Sequence, residues 1–105
     1  MSKPAIHPGE FLAEILDELD ISQAAFAKAC GVSAMRISHV VKGKRPVTAE
    51  LALRFGRVLG QSAELWMNHQ YSYDLTTARN AIGRTIKSLQ PLVLRQDSGL
   101  VRDVA

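Results

Sequence analysis

The segment 22–43 constrains the fold of this chain more than any other stretch. Ser22 and Ser33 each stand where a helix N-cap belongs, because a serine oxygen can accept a hydrogen bond from a backbone N–H that the first helical turn leaves unpaired. Gly31, between them, suits the positive φ with which a chain often leaves a helix. The segment therefore predicts two short helices joined by a tight turn.

Apolar residues at helical spacing give both predicted helices an inward face. These residues are Phe26, Ala27, Cys30, Val32, Ile37, Val40 and Val41. The outer face of the second helix remains free of any predicted packing partner. This layout is typical of a DNA-binding helix-turn-helix, in which the second helix lies in the major groove.

Three further helices are predicted around the pair, which itself spans residues 23–30 and 34–42. The first begins at Pro8, whose missing N–H costs nothing in a first helical turn. Thr48 caps a fourth helix that ends at Gly60, and Ser62 caps a fifth. The predicted buried residues are Phe11, Leu12, Ile15, Leu16 and Leu19 in the first helix and Leu51, Ala52, Phe55, Val58 and Leu59 in the fourth. No alternating strand pattern occurs in the first 80 residues, so we predict an all-α fold.

Beyond Asn80 the helical pattern weakens. Gly83 and Pro91 interrupt it, so we predict at most a short helix over 81–89, followed by residues that are frayed or depend on a partner. We therefore expect a helix-turn-helix DNA-binding and dimerisation domain over residues 1–80. A C-terminal extension over residues 81–105, partly helical and then frayed, would follow it.

Charge is divided unevenly along the chain. Residues 1–20 carry one lysine against five carboxylates, a net charge of −4. Residues 28–60 carry seven lysines and arginines against Glu50 alone, a net charge of +6. A charged segment is often no more than a solvated surface. Because the positive one covers the second helix of the pair and the loop after it, it indicates a polyanionic partner.

Composition argues against several other function classes. No apolar run reaches the roughly 18 residues of a membrane span, and the N-terminus lacks a signal-peptide core. A single cysteine, Cys30, forms no internal disulfide and is expected to be a small core residue, so we expect a cytoplasmic protein. The three histidines lack metal-ligand spacing, and no serine or cysteine has a paired base. We expect no metal, no cofactor, no small-molecule substrate and no enzymatic activity.

The sequence blocks in and around the helix pair resemble a particular family. HPGEFLAEIL at 7–16, the whole of 21–60 and SAELWMNHQYSYDL at 62–75 are similar to the HigA/VapI-type antitoxin branch of the Xre-type (phage-repressor-like) helix-turn-helix proteins. The most specific parts are the motifs HPGE at 7–10, KGKR at 42–45 and SAELW at 62–66.

The resemblance implies a five-helix phage-repressor-like domain and a double role. The chain would be the antitoxin of a type II toxin-antitoxin pair, binding operator DNA to repress its own operon and binding a ribonuclease toxin to neutralise it. A stand-alone Xre-type transcriptional regulator without a toxin is the alternative. A pure interaction protein that sequesters a partner is a third reading. The acidic first helix is a candidate toxin surface on charge alone.

A helical wheel separates the two faces of the third helix. With Ile37 at the centre of the inward face, Ala34, Val40 and Val41 also point inward. Met35, His39 and Lys42 point outward, with Arg36 and Ser38 on either side of them. Such side chains can reach base edges or a thymine methyl, whereas lysines and arginines of the following loop suit phosphates. The predicted DNA contacts are Gln23, Ser33, Ala34, Met35, Arg36, Ser38, His39, Lys42, Lys44 and Arg45.

Two alternatives stay open for these surfaces. The outer face of the third helix can be simply exposed and polar, and Arg54 and Arg57 can be either phosphate contacts or surface charges. Ala34, although inward on the wheel, can approach the groove from the start of the helix.

Large apolar residues crowd the fifth helix. Too many of them occur for a small domain to bury, and a helix-turn-helix commonly reads two half-sites about 34 Å apart. These residues can be ordinary core under the fourth helix or a dimer interface. We expect the interface of a C2 homodimer, with Trp66 and Leu65 belonging more to the core. The predicted dimer interface comprises Met67, Tyr71, Tyr73 and Leu75.

Overall fold

Five α-helices and no strand form the part of the chain that the computed structural model describes, residues 3–93. The helices are α1 (Pro8–Glu18), α2 (Gln23–Cys30), α3 (Ala34–Val41), α4 (Ala49–Leu59) and α5 (Ala63–Ser88). The all-α, five-helix prediction is confirmed.

The helix starts follow from their capping residues. A side-chain oxygen accepts a hydrogen bond from the backbone N–H three residues later at each predicted cap, at 3.0 to 3.2 Å. These caps are Ser22, Ser33, Thr48 and Ser62. At the other ends, Gly31 and Gly60 close α2 and α4 with φ of 72° and 69°. Helix α3 ends at Val41, one residue earlier than predicted, because Lys42 is its C-cap.

The core lies where α2, α3 and α4 meet α1 and the start of α5. Its centre is a chain of aromatic rings, in which Phe55 lies 5.2 Å from both Phe26 and Trp66. Truncation of any one of these rings to alanine would cost about 3–5 kcal/mol. The other buried apolar residues are Leu12, Leu16, Ala27, Cys30, Ile37, Val40, Val47, Leu51 and Ala52.

Three residues that the sequence pattern placed inward are exposed. Leu19 is 53% exposed because it caps the end of α1, just before the chain turns through Asp20 with φ of 54°. Val58 is 39% exposed because it lies at the edge of the core-facing side of α4, which continues past it to Leu59. Ala34 is exposed because it opens α3, one turn before Ile37 reaches the core.

Helix α5 is kinked near its C-terminal end. It extends from Ala63 to Ser88, but non-helical backbone at Ile82 (φ −122°, ψ 20°) divides it into two helical segments. The second segment agrees with the short helix predicted over 81–89, and the kink lies next to Gly83, where an interruption is predicted. Glycine costs about 1 kcal/mol in a helix interior, so it favours a break at this place.

The end of α5 projects from the rest of the molecule. Residues 77–82 and 84–92 are exposed, and the molecule is elongated, with extents of 53 × 25 × 21 Å. The predicted division at residue 80 falls within this helix and stays a prediction, and most of the expected frayed tail lies outside the described residues. None of the described helices is both long and apolar enough to cross a membrane.

Candidate nucleic-acid interface

Helix α3 is held to the core by one face, which leaves the opposite face open to solvent. Ile37 and Val40 are fully buried, whereas Met35 is 68% exposed. Ser38 and His39 are placed on the outer flanks, and Lys42 lies at the end of the helix. The predicted division of α3 into a buried and an exposed face is confirmed apart from Ala34. The exposed face carries polar and methyl-contacting groups of the kinds that contact base edges in a major groove.

The first turns of both helices of the pair are exposed. Gln23 opens α2, and Ser33 and Ala34 stand at the start of α3. The Ser33 hydroxyl accepts from the Arg36 N–H at 3.1 Å. Residues 23–25 and 34–35 are exposed at the positive end of each helix, where a phosphate oxygen is favoured.

The Arg36 side chain is directed toward α4. One of its terminal nitrogens lies 3.9 Å from the Glu50 carboxylate, and the side chain is 33% exposed. Glu50 also accepts from Arg54 at 3.0 and 2.9 Å. At 3.9 Å the Arg36–Glu50 pair is a weak, solvent-screened contact. A phosphate or a guanine could therefore compete for the Arg36 guanidinium.

The sequence left open whether Arg54 is a phosphate contact or a surface charge. In the structure, its side chain is bound to other groups of the same chain. A terminal nitrogen donates to the Cys30 carbonyl at 2.8 Å, so the guanidinium satisfies an end carbonyl of α2 while Glu50 holds it from the other side. The Glu50–Arg54 spacing of one helical turn was the available signal for the ion pair. Nothing in the spacing indicated the bond to Cys30. Arg57 is exposed.

The loop after α3, residues 42–47, folds back on the end of that helix. The N–H groups of Lys44 and Arg45 both donate to the His39 carbonyl, at 2.8 and 3.2 Å. Gly43 makes this turn with φ of 74° and donates to the Val40 carbonyl at 3.0 Å. The Lys44 and Arg45 side chains are left exposed, next to the outer face of α3.

The far end of this loop is tied to α5. Val47 is buried, and its N–H donates to the Gln70 side-chain oxygen at 2.8 Å. The amide nitrogen of Gln70 donates in turn to Asp74 at 2.9 Å. Gln70 is 5% exposed, so both hydrogen bonds matter, because a buried amide without partners would be costly. Gln70 was not among the residues predicted from the sequence, since a glutamine carries no signal of burial.

His7 joins three parts of the fold. Its Nδ1 accepts from the Gly9 N–H at 2.9 Å and so caps α1, while its ring meets Tyr73 of α5 edge-on at 4.8 Å. The ring also lies beside Gly43 of the following loop, where a Cβ would meet its Cγ at 3.6 Å and its Cδ2 at 3.8 Å. Burial lowers the pKa of His7 below 6.5, against the opposing effects of the Arg45 backbone, Asp74 and Glu10. The HPGE motif is thus a helix cap that also contacts the basic loop.

The predicted dimer residues fall into two groups. Met67 packs against the core and Tyr73 contacts His7, so both have partners within the protomer. Tyr71 and Leu75 are 57% and 53% exposed. Trp66 is fully buried and Leu65 half-buried, as expected for core residues.

Two observations concern the potential metal ligands and the cysteine in residues 3–93. No group of three potential metal ligands comes together there. Burial raises the pKa of the Cys30 thiol, against a smaller opposing effect of Arg54. The thiol is therefore a poor nucleophile and a poor metal ligand.

Comparison with known proteins agrees with this geometry. Residues 12–66 match the family described as HTH_3, helix-turn-helix. The chain is 47% identical to virulence-associated protein I of Dichelobacter nodosus over 76 residues, 71% of this chain and 70% of that protein. It is 34% identical to antitoxin HigA-1 of Vibrio cholerae over 85 residues, 80% of each chain.

A solved structure shares the fold over most of the chain. The antitoxin HigA of Pseudomonas aeruginosa, solved with the higBA promoter, superposes with a TM-score of 0.81 and 45% identity. The match covers 85% of this chain and 99% of that one. The chain therefore belongs to the helix-turn-helix family HTH_3 and, within it, to the HigA antitoxins.

Proposed function

We propose that this chain is an antitoxin that binds operator DNA to repress its own operon and binds a ribonuclease toxin to neutralise it. The observation that carries the DNA-binding part is the solvent-facing side of α3, continued by the exposed basic loop. The similarity to a HigA antitoxin solved with the higBA promoter supports the same function. The activity is binding and not catalysis, and the site of action is the cytoplasm, where operator DNA lies.

The candidate contacts divide by chemistry. Base edges are assigned to Met35, Ser38 and His39, with Arg36 reaching a guanine or a phosphate once it leaves Glu50. Phosphates are assigned to the charged and capping groups around them, because charge and N–H groups grip the backbone without reading sequence. The phosphate contacts are Gln23, Ser33, Ala34, Lys42, Lys44 and Arg45.

Fluorescence anisotropy tests this assignment with DNA from upstream of the gene and a scrambled duplex of equal length. We expect tighter binding to the upstream DNA and a salt slope of about −0.9 per neutralised phosphate. Arg36→Ala with His39→Ala should reduce discrimination between the two duplexes. Lys44→Ala with Arg45→Ala should weaken binding to both duplexes and flatten the salt slope by about 1 per lost phosphate contact. Equal binding to both duplexes by the native chain would contradict the proposal.

The proposal that this chain neutralises a toxin rests on the family and is tested separately. The proposal predicts a gene for a small basic ribonuclease-like protein beside this one, whose expression should arrest growth and whose co-expression with this chain should restore it. Specific DNA binding without such a rescue would favour the alternative, a stand-alone Xre-type regulator. Rescue that survives Arg36→Ala with His39→Ala would place toxin binding on another surface than α3.

We also propose a homodimer, because two recognition helices are needed for two half-sites. Tyr71 and Leu75 are the members of the predicted interface whose side chains are open to a second copy. They are followed by a row of exposed apolar residues that runs across the kink at Ile82. The further members of this row are Ile82 and Ile86 of the helix and its C-cap Leu89, between 47% and 61% exposed.

A further inference from the structure

The basic loop 42–47 is attached to the rest of the fold at two points behind it. At its far end the Val47 N–H donates to the Gln70 oxygen at 2.8 Å. Near its start, the His7 ring lies beside Gly43, where a Cβ would meet the ring Cγ at 3.6 Å and Cδ2 at 3.8 Å, and the same ring packs against Tyr73. The exposed Lys44 and Arg45 side chains therefore sit on a backbone that is held from behind by α5 and by the cap of α1.

We propose that His7 and Gln70 are positioning residues for DNA binding, which hold the basic loop where Lys44 and Arg45 meet phosphates without touching DNA themselves. This inference rests on the proposed function. Both side chains are buried, at 7% and 5% exposure, so neither is available to DNA. Gln70 accepts from the Val47 N–H and His7 lies against Gly43, which has no side chain, so both contacts fix the path of the backbone.

The two attachments are linked through α5. Gln70 donates to Asp74 at 2.9 Å, and the Asp74 carboxylate also acts on the His7 imidazole. Tyr73, next to Asp74, supplies the ring that packs against His7 at 4.8 Å. Within residues 3–93 no buried side-chain nitrogen or oxygen lacks a partner, so this network is fully satisfied. A satisfied buried network favours one geometry, which is what a positioned phosphate contact needs.

The hydrogen bonds within the loop do not fix it alone. Lys44 and Arg45 donate to one carbonyl, that of His39, which anchors the first half of the loop to α3. The second half is held at Val47 by Gln70, so loss of this contact would free the Val47 N–H and the loop end together. Lys44 and Arg45 would then lose order, and each phosphate contact would cost more conformational entropy.

A pair of Gln70 variants tests the proposal. Gln70→Met removes both hydrogen bonds, whereas Gln70→Glu combined with Asp74→Asn keeps an acceptor for the Val47 N–H, keeps the partner on α5 and leaves the net charge unchanged. We expect Gln70→Met to weaken operator binding about tenfold and to flatten the salt slope, because fewer phosphates are neutralised. The double variant should bind like the native chain. His7→Asn, which can still cap α1, should resemble Gln70→Met.

Two further measurements separate positioning from general stability. Circular dichroism at the assay temperature establishes that each variant is folded, and Asn68→Met, an exposed position on α5, is the matched control. In a Lys44→Ala, Arg45→Ala background, Gln70→Met should have no further effect on DNA affinity. If the background itself leaves DNA binding unchanged, the phosphate contacts of the proposed function fail. If the background weakens binding but the folded Gln70→Met chain keeps native affinity and slope, the positioning role is wrong.

Discussion

Gly9 lies where the first turn of α1 meets the last turn of α3. A Cβ at this position would stand 1.9 Å from the Val40 carbonyl oxygen and 2.8 Å from its carbon. Both atoms belong to the backbone, so they cannot rotate away as a flexible side chain would. The glycine of the HPGE motif is therefore required by close helix packing.

The cost of a methyl group at Gly9 can be measured against a second glycine. We expect Gly9→Ala to lower the free energy of unfolding by about 2–3 kcal/mol, because α1 and α3 must move apart. A Cβ added at Gly83, inside α5, would have no atom within 4 Å. Gly83→Ala should therefore raise the free energy of unfolding by up to about 1 kcal/mol. Urea unfolding of both variants compares them. An unchanged stability for Gly9→Ala would contradict this close approach of α1 to α3.

His7 predicts a pH dependence of stability. Because its pKa is lowered below 6.5 in the folded chain, the unfolded chain binds the proton more readily as the pH falls. Stability should thus be unaffected by this group above about pH 6.5 and should decline below it, down to the folded pKa. The carboxylates of Glu10 on α1 and Asp74 on α5 favour the protonated ring, so they reduce the lowering of the His7 pKa but do not reverse it. Urea unfolding at several pH values between about 7.5 and 5 measures the decline.

Comparison with His7→Asn isolates the contribution of this histidine. Asparagine is a good N-cap but has no group that titrates in this range. The variant should lose the part of the decline that native His7 causes. An identical dependence of stability on pH for both chains would show that His7 does not cause the decline.

At the scale of elements, α3 and α5 illustrate how far sequence reasoning reaches. Serine caps and a period near 3.6 are local signals, so Ser33, Ile37 and the outer face of α3 could be predicted from spacing alone. The bond between Gln70 and Val47 could not, because the two residues lie 23 positions apart in the chain and meet only when the loop packs against α5. Ala34 was misplaced because an idealised wheel ignores where along its length a helix touches the core.

The exposed row on α5 gives a prediction for assembly. Tyr71, Leu75 and Ile82 stand on one face at intervals of four and seven residues, so a charge placed there should disrupt a helix pair. We expect Leu75→Lys to shift the chain from dimer to monomer, while Thr77→Lys, on another face of the same helix, leaves it dimeric. Sedimentation over a range of concentrations measures the change. A monomeric native chain, or equal behaviour of the two variants, would contradict the proposed interface.

At the scale of the whole molecule, charge and shape divide the chain into regions. The segment 1–20 is acidic and the segment 28–60 is basic, and the latter contains α3 and its loop. Helix α5 packs against the core at its beginning and projects at its end. We infer that one surface meets a polyanion, that the projecting helix joins two copies, and that the acidic α1 remains open to a basic partner.

The most direct test of the central claim is a hydroxyl-radical footprint on DNA from upstream of the gene. A dimer that places two α3 helices in successive major grooves should protect two segments about 34 Å apart, one helical turn from centre to centre. Arg36→Ala with His39→Ala should weaken both segments equally, as two-fold symmetry requires. Two such segments on upstream DNA and none on a scrambled duplex are the predicted result. No protection, or the same protection on both duplexes, would contradict sequence-specific operator binding by a dimer.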